Sequence, residues 1–310
     1  MNTRKPLEIV LAGGNGFLGH SLIKYWKGQP ANFTVLCRKP GEEMKGVNTV
    51  AWDGEHKGDW CKVLDGADVL INLCGCSVDC RYTEKNKKDI IDSRVKSTTV
   101  LGGAIGLAKQ PPKLWINSGS ATIHRHAEDK PMDDDNTEFG EGFSVEVCKQ
   151  WETAFEKCIT PSTRKIVLRI SMVLGRDAGV LPVMIRLARK GLGGTMGSGN
   201  QFMSWIHEKD FAGIIAACIE HDDWEGKFNC SAPEPLPNRE FMALIRKAAG
   251  VSFGLPATAW MLEIGAFFMR TETELVLKSR RVVPSRLIQK GYSFQFKQAA
   301  EALADLTGNI

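Results

Sequence analysis

Apolar runs alternate with helically spaced segments, a glycine turn joins the first run to the first helix, and the pattern changes after about residue 178. Together these predict an α/β fold, a Rossmann doubly wound parallel sheet with a smaller C-terminal α/β region. Glu8-Ile9-Val10-Leu11-Ala12 reads as the first strand, and Phe17 to Trp26 follows with apolar residues at helical spacing. Further apolar runs at Phe33 to Leu36, Asp68 to Leu73, Leu114 to Ser118 and Ile166 to Ile170 are separated by helix-like segments near 84–108 and 144–158. Such runs imply a parallel sheet covered on both faces. Beyond residue 178, Gly191, Gly193, Gly194, Gly197 and Gly199 crowd one loop, and Pro233, Pro235 and Pro237 punctuate another. A helix over Glu208 to Glu220 is expected to return to the first domain, which gives 1–178 with 206–222 as one unit and 179–205 with 223–310 as a substrate or lid region.

The glycine turn carries the strongest chemistry. Gly13-Gly14-Asn15-Gly16-Phe17-Leu18-Gly19 satisfies G-x-x-G-x-x-G from Gly13 and G-x-G-x-x-G from Gly14, and both registers share Gly16 and Gly19. A pyrophosphate needs a sharp turn, an approach free of Cβ atoms, and helix N-terminal N–H groups aimed at the anion. Strand, turn, helix and a second strand follow in the right order for a dinucleotide site. At the end of that second strand stands Cys37-Arg38-Lys39-Pro40, with no carboxylate for ribose hydroxyls. Arg38 can pair with a 2′-phosphate in a charge-assisted fork, and Lys39 adds charge, so NADP(H) is the expected cofactor. Asp53, after the third strand, can accept from an adenine amino group or close its own turn.

Composition narrows the class. Forty basic against 36 acidic residues give a formal charge of +4, spread too evenly for a nucleic-acid surface. Nine cysteines in no regular spacing, and a first strand without an apolar signal region before it, lead to the expectation of a protein of the reducing cytoplasm. The apolar stretch Leu255 to Met269 is shorter than a bilayer span and carries Glu263, so a buried or groove-lining helix is expected, not a membrane segment.

Several later motifs join the glycine turn and Arg38: Asn72-Leu73-Cys74-Gly75, Asp92-Ser93-Arg94, Leu192-Gly193-Gly194 to Gly199 and Ser204-Trp205-Ile206-His207. Ala232-Pro233-Glu234-Pro235 with Asn238, and Arg281-Val282-Val283-Pro284, complete the set. Over nearly its whole length the chain resembles the atypical extended short-chain dehydrogenase/reductase family, whose members are described as epimerase family proteins or nucleoside-diphosphate-sugar epimerases with a family-specific C-terminal domain. The resemblance implies NADP contacts at Cys37, Arg38, Leu73, Cys74, Asp89, Arg94 and Val173. Leu73-Cys74-Gly75 also ends a strand at the carboxyl edge of the sheet, where ligands bind in open α/β folds. Arg94 can hold a phosphate or pair with Asp89 or Asp92 on its own helix.

Catalysis is harder to place. The wider superfamily uses a Tyr whose pKa is lowered by a Lys four residues later. Aligning Glu152 with the acidic residue after that pair puts Ser144 and Cys148 at its positions, and none of the tyrosines at 25, 82 and 292 precedes a lysine by four. Substitute candidates are Ser118 and Ser120, which follow the fifth strand, and His124, whose imidazole titrates in the useful range. Each can equally serve the loop. Cys148, Glu146 and Tyr82 rank below them, and a buried inert Cys148 is the expected form. Cys74, Cys76 and Cys80, like His124 and His126, lack a fourth ligand at zinc spacing, so no metal is expected. Trp205-Ile206-His207 reads as a packed hinge or a cleft wall, and Gly191 to Met203 as a lid or a loop squeezed between elements.

Two functions remain from these residues. One is an NADP(H)-dependent oxidoreductase or epimerase acting on a small carbonyl or nucleotide-sugar substrate in the cleft between the two regions. The other is a non-catalytic NADP(H)-binding redox sensor or scaffold. No nucleic-acid or membrane partner is expected, and the two long helices can pair across a homodimer or cover their own sheet.

Overall fold

The computed structural model describes residues 5–41, 47–263 and 272–308. Seven strands form the central sheet in the order β10-β6-β5-β4-β1-β2-β3. They are β1 (Leu7–Ala12), β2 (Ala31–Cys37), β3 (Asn48–Ala51), β4 (Val69–Asn72), β5 (Leu114–Ser120), β6 (Arg164–Ile170) and β10 (Gly226–Cys230). Every neighbouring pair is parallel, with Leu11 opposite both Val35 and Ile71 at the centre. Burial explains the sequence of the strands. In β4 all four residues are buried and in β1 the last four, because helices cover both faces and no alternation is possible.

One face packs on α1 (Phe17–Tyr25) and α5 (Glu208–Glu220), where Leu22, Phe211 and Ile214 meet Ile9, Leu11 and Ile71. The other packs on α2 (Glu84–Ile105) and α3 (Phe143–Glu156), with Trp60, Leu101, Trp115 and Phe155 in its core. Gly102 on α2 lets Cys158 approach, since a Cβ there would lie 2.3 Å from its sulfur.

The segment 223–230, which the sequence assigns to the second region, instead supplies the outermost strand of the sheet, with Phe228 opposite Leu168. Gly226-Lys227-Phe228-Asn229-Cys230 is too short and too polar to read as a buried strand, and what buries its last three residues is the sheet beside it. The remaining region packs α4 (Leu181–Leu187), α6 (Asn238–Ala249) and the helix Ala299–Thr307 around Phe241, Ile245 and Leu303. Two small sheets complete the fold: β7 (Met172–Leu174) with β9 (Trp205–His207), and, within this region, β8 (Phe202–Met203) with β11 (Leu236–Pro237).

The glycine loop is a squeezed one. A Cβ on Gly194 would lie 2.2 Å from the Leu255 carbonyl oxygen, and Leu255, Gly197 and Ala257 donate backbone hydrogen bonds across the contact. Trp205-Ile206-His207 is fully buried as a hinge, with the His207 imidazole accepting from Lys209 N–H at 3.0 Å to cap α5. Of the apolar stretch 255–269, residues 259–263 are helical with Trp260 65% exposed, and 264–269 lie outside the described residues. Among the described residues no helix is long and apolar enough to cross a membrane.

Candidate functional site

From β1 the chain builds outward to β2 and β3 on one side and to β4, β5 and β6 on the other, so strand order reverses between β1 and β4. In open α/β sheets ligands bind at such a reversal, in the crevice outside the carboxyl ends of the strands. The glycine turn fills one wall of it. Gly13 has φ +73°, and a Cβ on it would press against Cys74 at 3.0 to 3.1 Å; on Gly19 a Cβ would lie 1.9 Å from the Gly14 carbonyl oxygen. Those two glycines let the turn fold onto the β4 loop and onto α1. Gly16 differs, since the nearest heavy atom to its missing Cβ is the Gly13 carbonyl oxygen at 4.0 Å. Its face is open. Gly16 caps α1 without a side-chain hydrogen bond, and the first turn of the helix carries no acidic residue, which leaves the positive end of the helix dipole free for an anion. Asn15 is exposed at the tip, Leu18 packs into the core, and Phe17 lies against the loop after β7, where Gly175 leaves room for its ring.

Cys37 is buried at the end of β2, and Arg38 and Lys39 are exposed beyond it. Arg38 acts electrostatically on Cys74, which places its charge beside the turn. Asp53 closes its own turn: its carboxylate accepts from the N–H groups of Glu55 and His56 at 2.8 and 2.9 Å and meets the His56 imidazole at 2.7 Å. Those bonds lower its pKa to about 2. The turn role that the sequence allowed is thus present, and the carboxylate remains 55% exposed.

On the opposite wall Leu73 donates to the Ala12 carbonyl at 2.8 Å, which carries Leu73-Cys74-Gly75 across the end of β1. Arg94 reaches this loop from α2. Its guanidinium donates to the carbonyls of Ile90 and Cys76 at 3.0 and 3.1 Å and lies over the Trp151 ring, and a Cβ on Gly75 would collide with it at 2.8 Å. Neither expected carboxylate pairs with it. Asp92 binds Lys88 and Lys96, and Asp89 is exposed five residues earlier, about 140° around the helix. Val173 is buried in β7 against the sheet core.

The expected catalytic residues separate. Ser118 is turned into the sheet, where its hydroxyl donates to the Asn72 carbonyl at 2.8 Å beside a buried Asn72, Asn117, Thr98 and Trp151 network. Its expected substrate role is thereby corrected: the hydroxyl proton joins β4 to β5. Ser120 lies two residues on, half-buried; its hydroxyl oxygen accepts from Thr122 N–H at 3.2 Å and lies near the Cys148 sulfur. Burial pushes the Cys148 thiol up to about 12, so it is the inert cysteine expected. Its sulfur donates to the Ser144 carbonyl at 3.1 Å.

His124 is fully buried, with Nε2 3.1 Å from Asn229 Oδ1. The Asn229 amide nitrogen donates to the carbonyls of Met132 and Val283, which fixes its oxygen toward the histidine and puts the imidazole proton on Nε2. Burial lowers the His124 pKa to about 4, so the ring is neutral near pH 7 and its expected proton-donating role is replaced by a hydrogen-bonding one.

Other groups reach this end, among them Tyr82, which the sequence ranks below the serines and His124. The Tyr82 hydroxyl meets Ser144 Oγ at 3.2 Å and its ring packs edge-on against Phe143, so a phenol from the segment before α2 reaches the place where α3 lacks one. Arg169 grips Glu152 with two bonds of 2.8 and 3.0 Å, and Lys227 adds a third at 2.8 Å. Arg280, half-buried, faces the same end from the C-terminal region. Its only hint was the charge pair 280–281. Among the described residues no three His, Cys, Asp or Glu side chains are arranged to hold a metal ion.

Comparison with known proteins bears on what such a crevice belongs to. Residues 9–231 match the model of the NAD dependent epimerase/dehydratase family, and residues 257–306 match a domain of unknown function, DUF1731. The chain belongs to the NAD dependent epimerase/dehydratase family. It is 30% identical over 303 residues to the human epimerase family protein SDR39U1, covering 97% of this chain and 99% of that one. With YfhF of Bacillus subtilis, another epimerase family protein, it shares 30% identity over 301 residues, 97% and 98% of the two chains. A crystal structure of human SDR39U1 (isoform 2) with NADPH superimposes with a TM-score of 0.87 over 97% of this chain and 99% of that chain. The nucleoside-diphosphate sugar epimerase of Corynebacterium glutamicum gives 0.78 at 25% identity, over 98% of this chain and 58% of that one.

Proposed function

We propose that the chain binds NADP(H) in the crevice between β1 and β4 and works as an oxidoreductase or epimerase on a small carbonyl or nucleotide-sugar substrate. The observation that carries this reading is the open glycine turn with Arg38 and no carboxylate at positions 37–41. Gly13, Gly16 and Gly19 shape the pyrophosphate cradle, and Arg38 pairs with the 2′-phosphate. The NADPH in the human relative's structure supports the same cofactor. Bound NADP(H) supplies hydride chemistry at nicotinamide C4.

The chain's own residues divide the remaining work. Ser120, whose oxygen accepts from Thr122 N–H at 3.2 Å, keeps its hydroxyl proton to offer a substrate oxygen, whereas the Ser118 proton serves the sheet. Arg94 brings a fixed positive charge to the Cys148 neighbourhood, where the family's lysine is missing. Cys148 stays a neutral thiol, and His124 stays a neutral ring that orders the loop after β5. Substrate-dependent NADPH oxidation that disappears in Ser120→Ala, with NADPH affinity unchanged, is the expected result.

A second reading, a non-catalytic NADP(H)-binding sensor or scaffold, is favoured by Ser144 and the high thiol pKa of Cys148 at the pair positions. No NADPH turnover with any carbonyl compound or nucleotide sugar, together with tight cofactor binding, selects it.

A further inference from the structure

A cavity of about 380 Å³ opens beside α3, lined by His124, Phe139, Val145, Lys278 and Arg280 among others. Val145 and Cys148 stand three residues apart on α3, on one helix face, so the cavity adjoins the place where Ser120 meets Cys148. We propose that Arg280 binds an oxyanion, a carboxylate or a phosphate, of a small substrate whose reacting oxygen is held at Ser120. The proposal rests on the oxidoreductase or epimerase reading above and names the substrate class for it.

Arg280 is mounted rigidly and left without a countercharge. Its N–H donates to the Phe202 carbonyl at 2.8 Å, and its own carbonyl accepts from the Ser204 hydroxyl. The guanidinium has five N–H donors and one long bond, 3.4 Å to the Ser279 carbonyl. Among the described residues no carboxylate lies within ion-pair distance of it. Glu274, the acid that acts on it electrostatically, is held by Lys278 at 2.6 Å. A desolvated guanidinium without a partner is costly unless an anion completes it.

The other cations around the cavity are already matched, and Glu141, exposed at its edge, adds one carboxylate to the lining. Arg125 is tied to Asp129 and Glu138, and Lys278 also donates to the Glu141 carbonyl. His126 accepts from Ser279 N–H at 3.0 Å through Nδ1. One uncompensated cation fits one oxyanion. A nucleoside diphosphate brings two charges and a base, and the cavity offers neither a second free cation nor an open pair of aromatic faces: Phe139 is covered on one side by Arg169, whose guanidinium lies 5.5 Å from the ring centre. A planar fork suits a carboxylate or phosphate in two-point contact.

The test is calorimetric titration of NADPH-saturated protein with oxamate and, separately, with inorganic phosphate. At least one is expected to bind, and the preference between them identifies the carboxylate or phosphate source. Arg280→Gln is expected to weaken that binding about tenfold or more while leaving NADPH affinity unchanged. Arg280→Lys, which keeps the charge and loses the fork, is expected to fall between, and it carries the test if the glutamine variant does not fold. Binding of neither anion, or equal binding by wild type and both variants, overturns the proposal. The same titrations on cofactor-free protein keep the two readings apart, because failure of NADPH to bind removes the cofactor assignment without touching Arg280.

Discussion

A 2′-phosphate carries charge that a ribose hydroxyl lacks, so the proposed role of Arg38 is to discriminate between the two nicotinamide cofactors and that of the glycine turn to bind what they share. Arg38→Ala is predicted to weaken NADPH binding by roughly 10- to 100-fold and to leave NADH binding nearly unchanged, as read by parallel titrations. Gly19→Ala is predicted to lower the thermal midpoint as well as NADPH affinity, because the added Cβ would meet the Gly14 carbonyl oxygen at 1.9 Å and main chain must move. Two histidines make stability depend on pH. His124 and His207 are fully buried, and burial lowers the pKa of each to about 4. An unfolded imidazole titrates near about 6.5, so the unfolded chain binds more protons between these values. Stability is therefore present above about pH 6.5 and lost as pH falls toward 4, by roughly 3 kcal/mol per histidine. Urea midpoints measured at pH 7 and at pH 4.5 are expected to differ accordingly, and a flat profile counts against the neutral buried rings. The glycine turn and Arg38 are legible because spacing along the chain encodes them. Ser118 against Ser120 is not, since which hydroxyl faces the crevice depends on the last turn of a strand whose two faces are both covered.

At the scale of elements, the ion cluster of Glu152 on α3, Arg169 on β6 and Lys227 on β10 joins the helix to the two outer strands. Burial alone would raise the Glu152 pKa, but pairing with Arg169 and Lys227 outweighs it and holds the carboxylate ionised. Glu152→Gln leaves Arg169 buried beside a neutral amide. A loss of roughly 3–5 kcal/mol is predicted, measured by denaturant unfolding, and a change under about 1 kcal/mol would show that the strands hold without it. This cluster also explains why β10 escapes a reading of periodicity. Lys227 and Asn229 look like loop residues in the sequence, yet one completes Glu152 and the other orients His124. The glycines from Gly191 to Gly199 mislead in the opposite direction: their count fits a lid, and their backbone contacts fit a tight seam against residues 254–257.

Across the whole molecule, a parallel sheet with its order reversal at β1 and β4 brings the glycine turn, Arg38 and Leu73-Cys74-Gly75 from loops far apart in sequence to one edge, and residues 279–283 return to the loop after β5. Membership of the NAD dependent epimerase/dehydratase family and the 0.87 TM-score to the human relative follow from that shared frame. Substrate chemistry is not fixed by the frame. It belongs to the few polar groups at its rim, which is why Arg280 becomes visible only when residues 279–283 are folded against the loop after β5. The most direct measurement is a calorimetric titration of the purified protein with NADPH and NADH side by side. Tight, selective binding of NADPH is predicted; equal affinity for the two, or binding of neither, would contradict the cofactor assignment on which the proposed function stands.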